Sequence, residues 1–292
     1  MAFTFKEFKS KEISSLPHYL VIGHPISHSL SPLMHQTAID YHDLNAKYYA
    51  IDLHTGDIPD FVSWLNRDAF LGCNITIPYK KLFFDVVDRQ DSIASNLGVV
   101  NTIARSGSEL VGYNTDVYGF LQPLGQWRAQ LEGTTAIIFG TGGASKAVMT
   151  GLMTAGISRI LFVSRNVKNH SIPEYAGDSD VDIQYIDYSQ WSAYIGDVSI
   201  LVNATPLGMY PGTEKSPVSE GDLHLLKGKI CYDLVYNPLN TTFLTYADRA
   251  GGHIIQGHHM LIHQGDQSFN IWTGKSFPLE LIYKKIENYF TA

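Results

Sequence analysis

The sequence predicts an α/β protein of two α/β domains, the first with a mainly parallel sheet, and C-terminal helices that pack back on that first domain. Three observations carry this. Apolar, β-branched runs alternate with helical patterns twice along the chain, as parallel strands joined by crossovers do. A hairpin-like stretch lies between the two alternations. The chain has 292 residues, enough for two domains of roughly 100–200 residues each.

The first alternation begins with HYLVIG (18–23), a buried strand, followed by a helix from Pro32. KYYAIDL (47–53) is the next strand and DIPDFVSWLN (57–66) the next helix. FLGCNITI (70–77) reads as a third buried strand closed by Pro78, which cannot donate to a central ladder, with a helical segment from Tyr79. In VVNTIARSGSELVGYNTD (99–116) two β-like runs flank Ser106-Gly107-Ser108, a hairpin. The second alternation runs through TTAIIFG (134–140), a helix from Ala144, RILFVSR (159–165), VDIQYI (181–186), DVSILVNAT (197–205) and KICYDLVY (229–236). Two helical segments, 258–274 and 278–290, end the chain. The expected domains are residues 1–116 with 257–292, and 117–256. Met1–Leu16 has no assigned role.

The net charge is -7, from 21 basic and 28 acidic residues, which supplies no basic face for nucleic acid. Cys73 and Cys231 are the two cysteines, both inside apolar runs, and read as free core thiols in a reducing cytosol. The N-terminal stretch lacks the continuous apolar core of a signal peptide, and nothing approaches the ~20 apolar residues of a membrane span. A cytoplasmic location is expected.

FGTGGAS (139–145) sits between an apolar strand and a helix. Gly140 allows the tight turn, and Gly142 lets the backbone approach a pyrophosphate on the helix N-terminus. Ser145 takes the third glycine position, so the fingerprint is imperfect. Lys146 lacks the neighbours that would make this a P-loop. A Rossmann-type dinucleotide domain follows. At the end of the next strand Ser164 and Arg165 stand where an NAD site carries an acid, with Lys168 nearby. Arg165 can bind a 2′-phosphate bidentately, which favours NADP over NAD; otherwise it is a solvated strand-end arginine.

In the first domain, GHPISHSLSPLMH (23–35) places Ser29 and Ser31 before Pro32. Ser31 suits an N-cap, and two hydroxyls at a helix start also suit a carboxylate. Asn101, Asn114, Thr115 and Asp116 are ordinary turn or cap types, but they fall between the two α/β units, where small ligands prefer to bind. Lys80, just past a strand's carboxyl end, is where ligands collect in open α/β sheets. A solvated loop lysine is the plain alternative, and Lys81 is expected to be that.

GHPISHSLSP, GCNITIPYK, VVNT, GYNTD, GTGGASKA, NATPLGM, YDLVYNP and GHHMLIHQ, in this order over nearly the whole chain after residue 17, resemble the shikimate dehydrogenase family. The resemblance implies reversible reduction of 3-dehydroshikimate to shikimate with NADP, by a monomer or homodimer. It makes Lys80 and Asp116 the catalytic pair and puts Ser29 and Ser31 on the substrate carboxylate. Thr76, Asn101, Tyr236 and Gln264 fall on or near the ring hydroxyls. It implies that Gly140, Gly142, Gly143 and Ala144 hold the pyrophosphate, that Arg165, with Ser164 and Lys168, faces the 2′-phosphate, and that Leu234 and Gly257 border the nicotinamide. Val117, where the family usually has Gly, Ser164 for Asn, and Lys168 near a second Arg position depart from the pattern.

Alcohol oxidation needs a hydride acceptor and a positioned base, but no metal. Burial favours a neutral amine whereas a neighbouring carboxylate favours the ammonium, so which member of the Lys80/Asp116 pair carries the proton stays open. His259 and His263 are four apart but lack the Glu of a zincin motif; His24 and His28 read as loop packing. Three other readings are weighed. A quinate/shikimate dehydrogenase using NAD would need room for one more hydroxyl, and small Ser29 and Ser31 favour planar shikimate. A methyltransferase would want an acid where Arg165 stands. A non-catalytic NADP-binding regulator would not need Lys80 together with Asp116.

Overall fold

The computed structural model describes residues 2–167 and 179–291. The chain divides into two compact units: residues up to Thr115 together with Gln264 onward, and Asp116–His263. The second dividing point falls inside one helix, Gly257–Thr273.

The first unit carries seven strands: β1 (Ala2–Thr4), β2 (His18–Gly23), β3 (Lys47–Asp52), β4 (Phe70–Ile75), β5 (Arg89–Gln90), β6 (Thr102–Ser106) and β7 (Glu109–Tyr113), in the order β1-β3-β2-β4-β6-β7-β5. Strands β1 to β4 pair in parallel. Strand β6 is antiparallel to both β4 and β7. Every residue of β2 is buried, as expected of a central strand covered on both faces. The hairpin forms as read, with Ser106 opposite Glu109 and Gly107 at φ 64°.

Three local expectations differ, and one unassigned segment finds its place. The helix after β2 begins at Ser31 with Leu30 as N-cap, so Ser31 is its first helical residue and not its cap. Strand β4 stops at Ile75 and leaves Ile77 74% exposed; apolar content alone cannot tell a strand's last residue from a loop apex. The helix expected from Tyr79 is only a 3-10 turn, Leu82–Phe84, that buries Phe83. The N-terminal stretch, given no role from the sequence, is built into the fold: β1 pairs with β3, Thr4 and Glu7 form a capping box, and Phe5 and Phe8 enter the core with Phe61, Trp64 and Phe70.

Among the described residues the second unit holds six parallel strands: β8 (Thr135–Phe139), β9 (Arg159–Val163), β10 (Asp182–Ile186), β11 (Val198–Asn203), β12 (Ile230–Asp233) and β13 (His253–Ile255), ordered β10-β9-β8-β11-β12-β13. That doubly wound order reverses at β8/β11, where such sheets bind ligands. Alternation along β8 sends Ala136 and Ile138 to one core and Ile137 and Phe139 to the other. Strand β12 ends at Asp233, three residues before the apolar run does.

Candidate active site

In the first unit the candidate residues Ser29 and Ser31 follow β2, and Thr76 and Lys80 follow β4. Gly23 is required there: a Cβ on it would meet Thr76 Cγ2 at 2.5 Å and the Ile77 carbonyl at 3.0 Å. Thr76 is half-buried, its N–H donating to Ile22 O at 3.0 Å. Lys80 is half-buried and its carbonyl accepts from Val100 N–H at 2.9 Å, which ties its loop to the approach of β6. Lys81 is exposed.

Ser29 is half-buried and its Oγ accepts from Ser31 N–H at 3.3 Å. Ser31 is buried, and its hydroxyl meets that of Tyr48. The Tyr48 hydroxyl donates to Asn74 Oδ1 at 2.7 Å, and burial holds the phenol well above its ordinary pKa. Asn101, 2% exposed, takes Thr115 N–H on Oδ1 at 2.8 Å and donates from Nδ2 to Thr115 Oγ1 at 3.0 Å. Half-buried Gln264 lies on the helix Gly257–Thr273, and its carbonyl accepts from Ser268 Oγ at 2.9 Å.

Ser268 is the junction that reading the sequence missed. Fully buried, it accepts from Asn74 Nδ2 at 2.9 Å and lies 2.8 Å from Thr102 Oγ1 and 3.2 Å from Thr115 Oγ1. Hydroxyls and amides from β4, β6, the end of the hairpin and the C-terminal helix thus satisfy one another, as buried polar groups must. No short motif announces it, because its members lie up to 194 residues apart.

In the second unit the backbone builds the site. Gly140 has φ 98°, and a Cβ there would strike Thr205 Cγ2 at 2.7 Å. The helix Gly143–Thr154 starts with Gly142 as N-cap and no side-chain cap, so its first N–H groups face outward. Nothing lies within 4 Å of where a Cβ would stand on Gly142 or Gly143, and both are exposed with Ala144. Such a turn fits a dinucleotide pyrophosphate. Ser145 in the third glycine position is buried and donates to Gly142 O at 2.5 Å, closing the turn from within.

Arg165 is exposed just past β9, near enough to Tyr188 to act on its phenol, and buried Ser164 caps Asn166 N–H at 3.2 Å. Lys168 lies outside the described residues. Asp116 is 8% exposed and opens the helix Asp116–Leu121, with Val117 buried behind it. Leu234 and Tyr236 are half-buried beyond β12. Gly257 packs on the Leu234–Val235 backbone: a Cβ would meet Val235 O at 2.5 Å and Leu234 O at 2.6 Å. Beneath that loop, buried Asp233 accepts from Asn203 Nδ2 and Val235 N–H, both at 2.9 Å, and from Thr241 Oγ1 at 2.6 Å. Burial outweighs these bonds and pushes its carboxyl up to about 6.

A doubly wound sheet with an open glycine turn at its first strand, in a chain whose other sheet carries a buried cluster of hydroxyls and amides, is the architecture of a nucleotide-dependent oxidoreductase of the two-unit α/β kind. Family models agree on which kind: the shikimate dehydrogenase substrate binding domain matches residues 21–103, and the shikimate 5'-dehydrogenase C-terminal domain residues 257–287. The chain is 34% identical over 268 residues to the shikimate dehydrogenase (NADP+) of Caldanaerobacter subterraneus, covering 91% of this chain and 95% of that one. It is 36% identical to that of Moorella thermoacetica, with 90% of each covered. The crystal structure of shikimate 5-dehydrogenase from Thermus thermophilus in complex with NADP(H) and shikimate superposes with a TM-score of 0.80 at 30% identity, covering 94% of this chain and 99% of that one. This chain belongs to the shikimate dehydrogenase family.

Proposed function

We infer that the protein is an NADP-dependent shikimate dehydrogenase, an oxidoreductase acting on a CH–OH group, that reversibly reduces 3-dehydroshikimate to shikimate. The observation that carries this reading is the uncapped, open glycine turn at Gly142 and Gly143, in a chain whose relatives at 34% and 36% identity are NADP+ enzymes. The nicotinamide, when bound, supplies or accepts the hydride.

The protein's own residues do the rest. Ser29 and Ser31 take the substrate carboxylate, and Thr76, Asn101, Tyr236 and Gln264 orient the ring hydroxyls, so that the reacting carbon is held in one pose. Lys80 and Asp116 act as a dyad: they hold the proton that leaves the alcohol on oxidation and return it on reduction. Gly140, Gly142, Gly143 and Ala144 receive the pyrophosphate on backbone N–H groups. Arg165, with Ser164 and Lys168 beside it, receives the 2′-phosphate, and Leu234 and Gly257 wall the nicotinamide. Residues 1–116 with 257–292 serve the substrate and 117–256 the nucleotide. Among the described residues no helix is long and apolar enough to cross a membrane, and both cysteines are free, buried thiols. Buried free thiols suit a reducing compartment, and we take the protein to act in the cytoplasm on a small molecule, as a monomer or homodimer.

The deciding experiment follows absorbance of the reduced nicotinamide with shikimate or quinate, each paired with NADP or NAD. Turnover confined to shikimate with NADP is expected. Comparable turnover of quinate, or with NAD, overturns the specificity given to Ser29, Ser31 and Arg165.

A further inference from the structure

His24 follows β2, Asp52 ends β3, and His54 comes two residues later. The two strands are parallel neighbours with Gly23 opposite Asp52, and Leu53 N–H donates to Gly23 O at 3.1 Å. His24 N–H donates to Ile77 O at 3.1 Å. The backbone at all three positions is therefore fixed, while the side chains stay accessible.

Those side chains converge. His24 Nδ1 is 2.8 Å from Asp52 Oδ1, and His54 Nε2 is 4.0 Å from Asp52 Oδ2. The two rings are 4.6 Å apart, and one ligand atom from each residue falls within 4.8 Å of the others. Each carboxylate oxygen is turned to a different imidazole.

We propose that His24, Asp52 and His54 form a binding site for one divalent transition-metal ion, of which Zn²⁺ is the probe of choice. Tetrahedral zinc with bonds of ~2.0–2.2 Å sets its ligand atoms about 3.4 Å apart. The His24 Nδ1–Asp52 Oδ1 and His54 Nε2–Asp52 Oδ2 separations lie on either side of that value, so the carboxylate would bind through both oxygens or turn to offer one oxygen between the two imidazoles. Two imidazoles and one carboxylate suit Zn²⁺, Co²⁺, Ni²⁺ or Cu²⁺ and not Mg²⁺ or Ca²⁺, which want oxygen. Solvent completes the coordination. The ion would clamp the carboxyl ends of β2 and β3 where the segment carrying Ser29 and Ser31 begins. It takes no part in the hydride chemistry, so the site stands or falls independently of the dehydrogenase reading.

The test is equilibrium dialysis of the full chain against ZnCl₂ in a non-chelating buffer, with a thermal-unfolding readout. We expect one saturable site with a dissociation constant below about 100 μM, and an unfolding midpoint that rises with zinc. Asp52→Asn and His54→Gln should each weaken that site about tenfold or more, without moving the zinc-free midpoint. His259→Gln, on a helix where His259 and His263 could also collect metal, should leave it unchanged. Absence of a saturable site, equal binding by the wild type and the Asp52→Asn and His54→Gln variants, or loss of the site in His259→Gln would each overturn the assignment.

Discussion

The two units bury charge-capable groups in opposite ways. In the first, His35 is fully buried, stacked on Tyr48 at 4.4 Å, and neither ring nitrogen has a hydrogen-bond partner among the described residues. In the second, Asp233 is equally buried but bonded by Asn203, Thr241 and the Val235 N–H. The histidine is packed as an aromatic ring; the aspartate holds a loop. Partners decide whether a buried polar side chain is filler or scaffold, and the two should answer acid with opposite signs.

Burial pushes the His35 pKa down from 6.5 to about 3, so between those values the unfolded chain binds a proton that the folded chain refuses. The stability His35 carries is complete above its unfolded pKa and is lost as pH falls towards 3. That loss is on the order of 5 kcal/mol. Asp233 runs the other way. Raised from 3.8 to about 6, it favours the folded state below its unfolded pKa, and that advantage disappears as pH rises through 6, by roughly 2–3 kcal/mol. Urea unfolding from pH 4 to 7 should show His35→Phe flattening the acid loss and Asp233→Asn gaining relative stability towards pH 7. Parallel curves for wild type and both variants would erase the contrast.

Next in size is the change in rate expected at Lys80. Lys80→Ala should lower kcat by ~10²-fold or more while NADP still binds, a loss of about 3 kcal/mol in transition-state stabilisation. Lys81→Ala is the neighbouring control. Its side chain lies at an exposed position, and kcat should stay within about twofold. Steady-state kinetics on both variants separates a catalytic lysine from a merely basic loop.

What could be read in advance divides along the same line. The glycine turn was legible because backbone-built sites need glycine at fixed spacing, and Gly140 at φ 98° is such a requirement. The alternating strands were legible because β2 and β8 are buried throughout. The Ser268 junction and the His24, Asp52, His54 group were not legible. Their members come from separate strands and a distant helix, and only strand order brings them together. Ser31 shows a third case: Ser-Pro correctly marked a helix start, but the hydroxyl went to Tyr48 and not to the helix.

Gly257 and Gly142 separate two reasons for glycine in the second compact unit. A methyl on Gly257 must enter the space of the Leu234 and Val235 carbonyls. Backbone cannot yield as a flexible side chain does, and overpacking of this kind costs about 1–3 kcal/mol. Gly257→Ala should therefore lower the unfolding midpoint and, by displacing the Leu234 loop, raise KM for NADP. Gly142 is the opposite case: its φ of -74° is open to any residue, and its missing Cβ would meet nothing. Gly142→Ala should leave the unfolding midpoint almost unchanged, within about 0.5 kcal/mol, yet weaken NADP binding about tenfold, because the methyl would enter the space we assign to the pyrophosphate. Fluorescence titration of NADP against both variants reads the difference. If Gly142→Ala binds NADP as the wild type does, the pyrophosphate lies elsewhere, and the open turn is a helix start and nothing more.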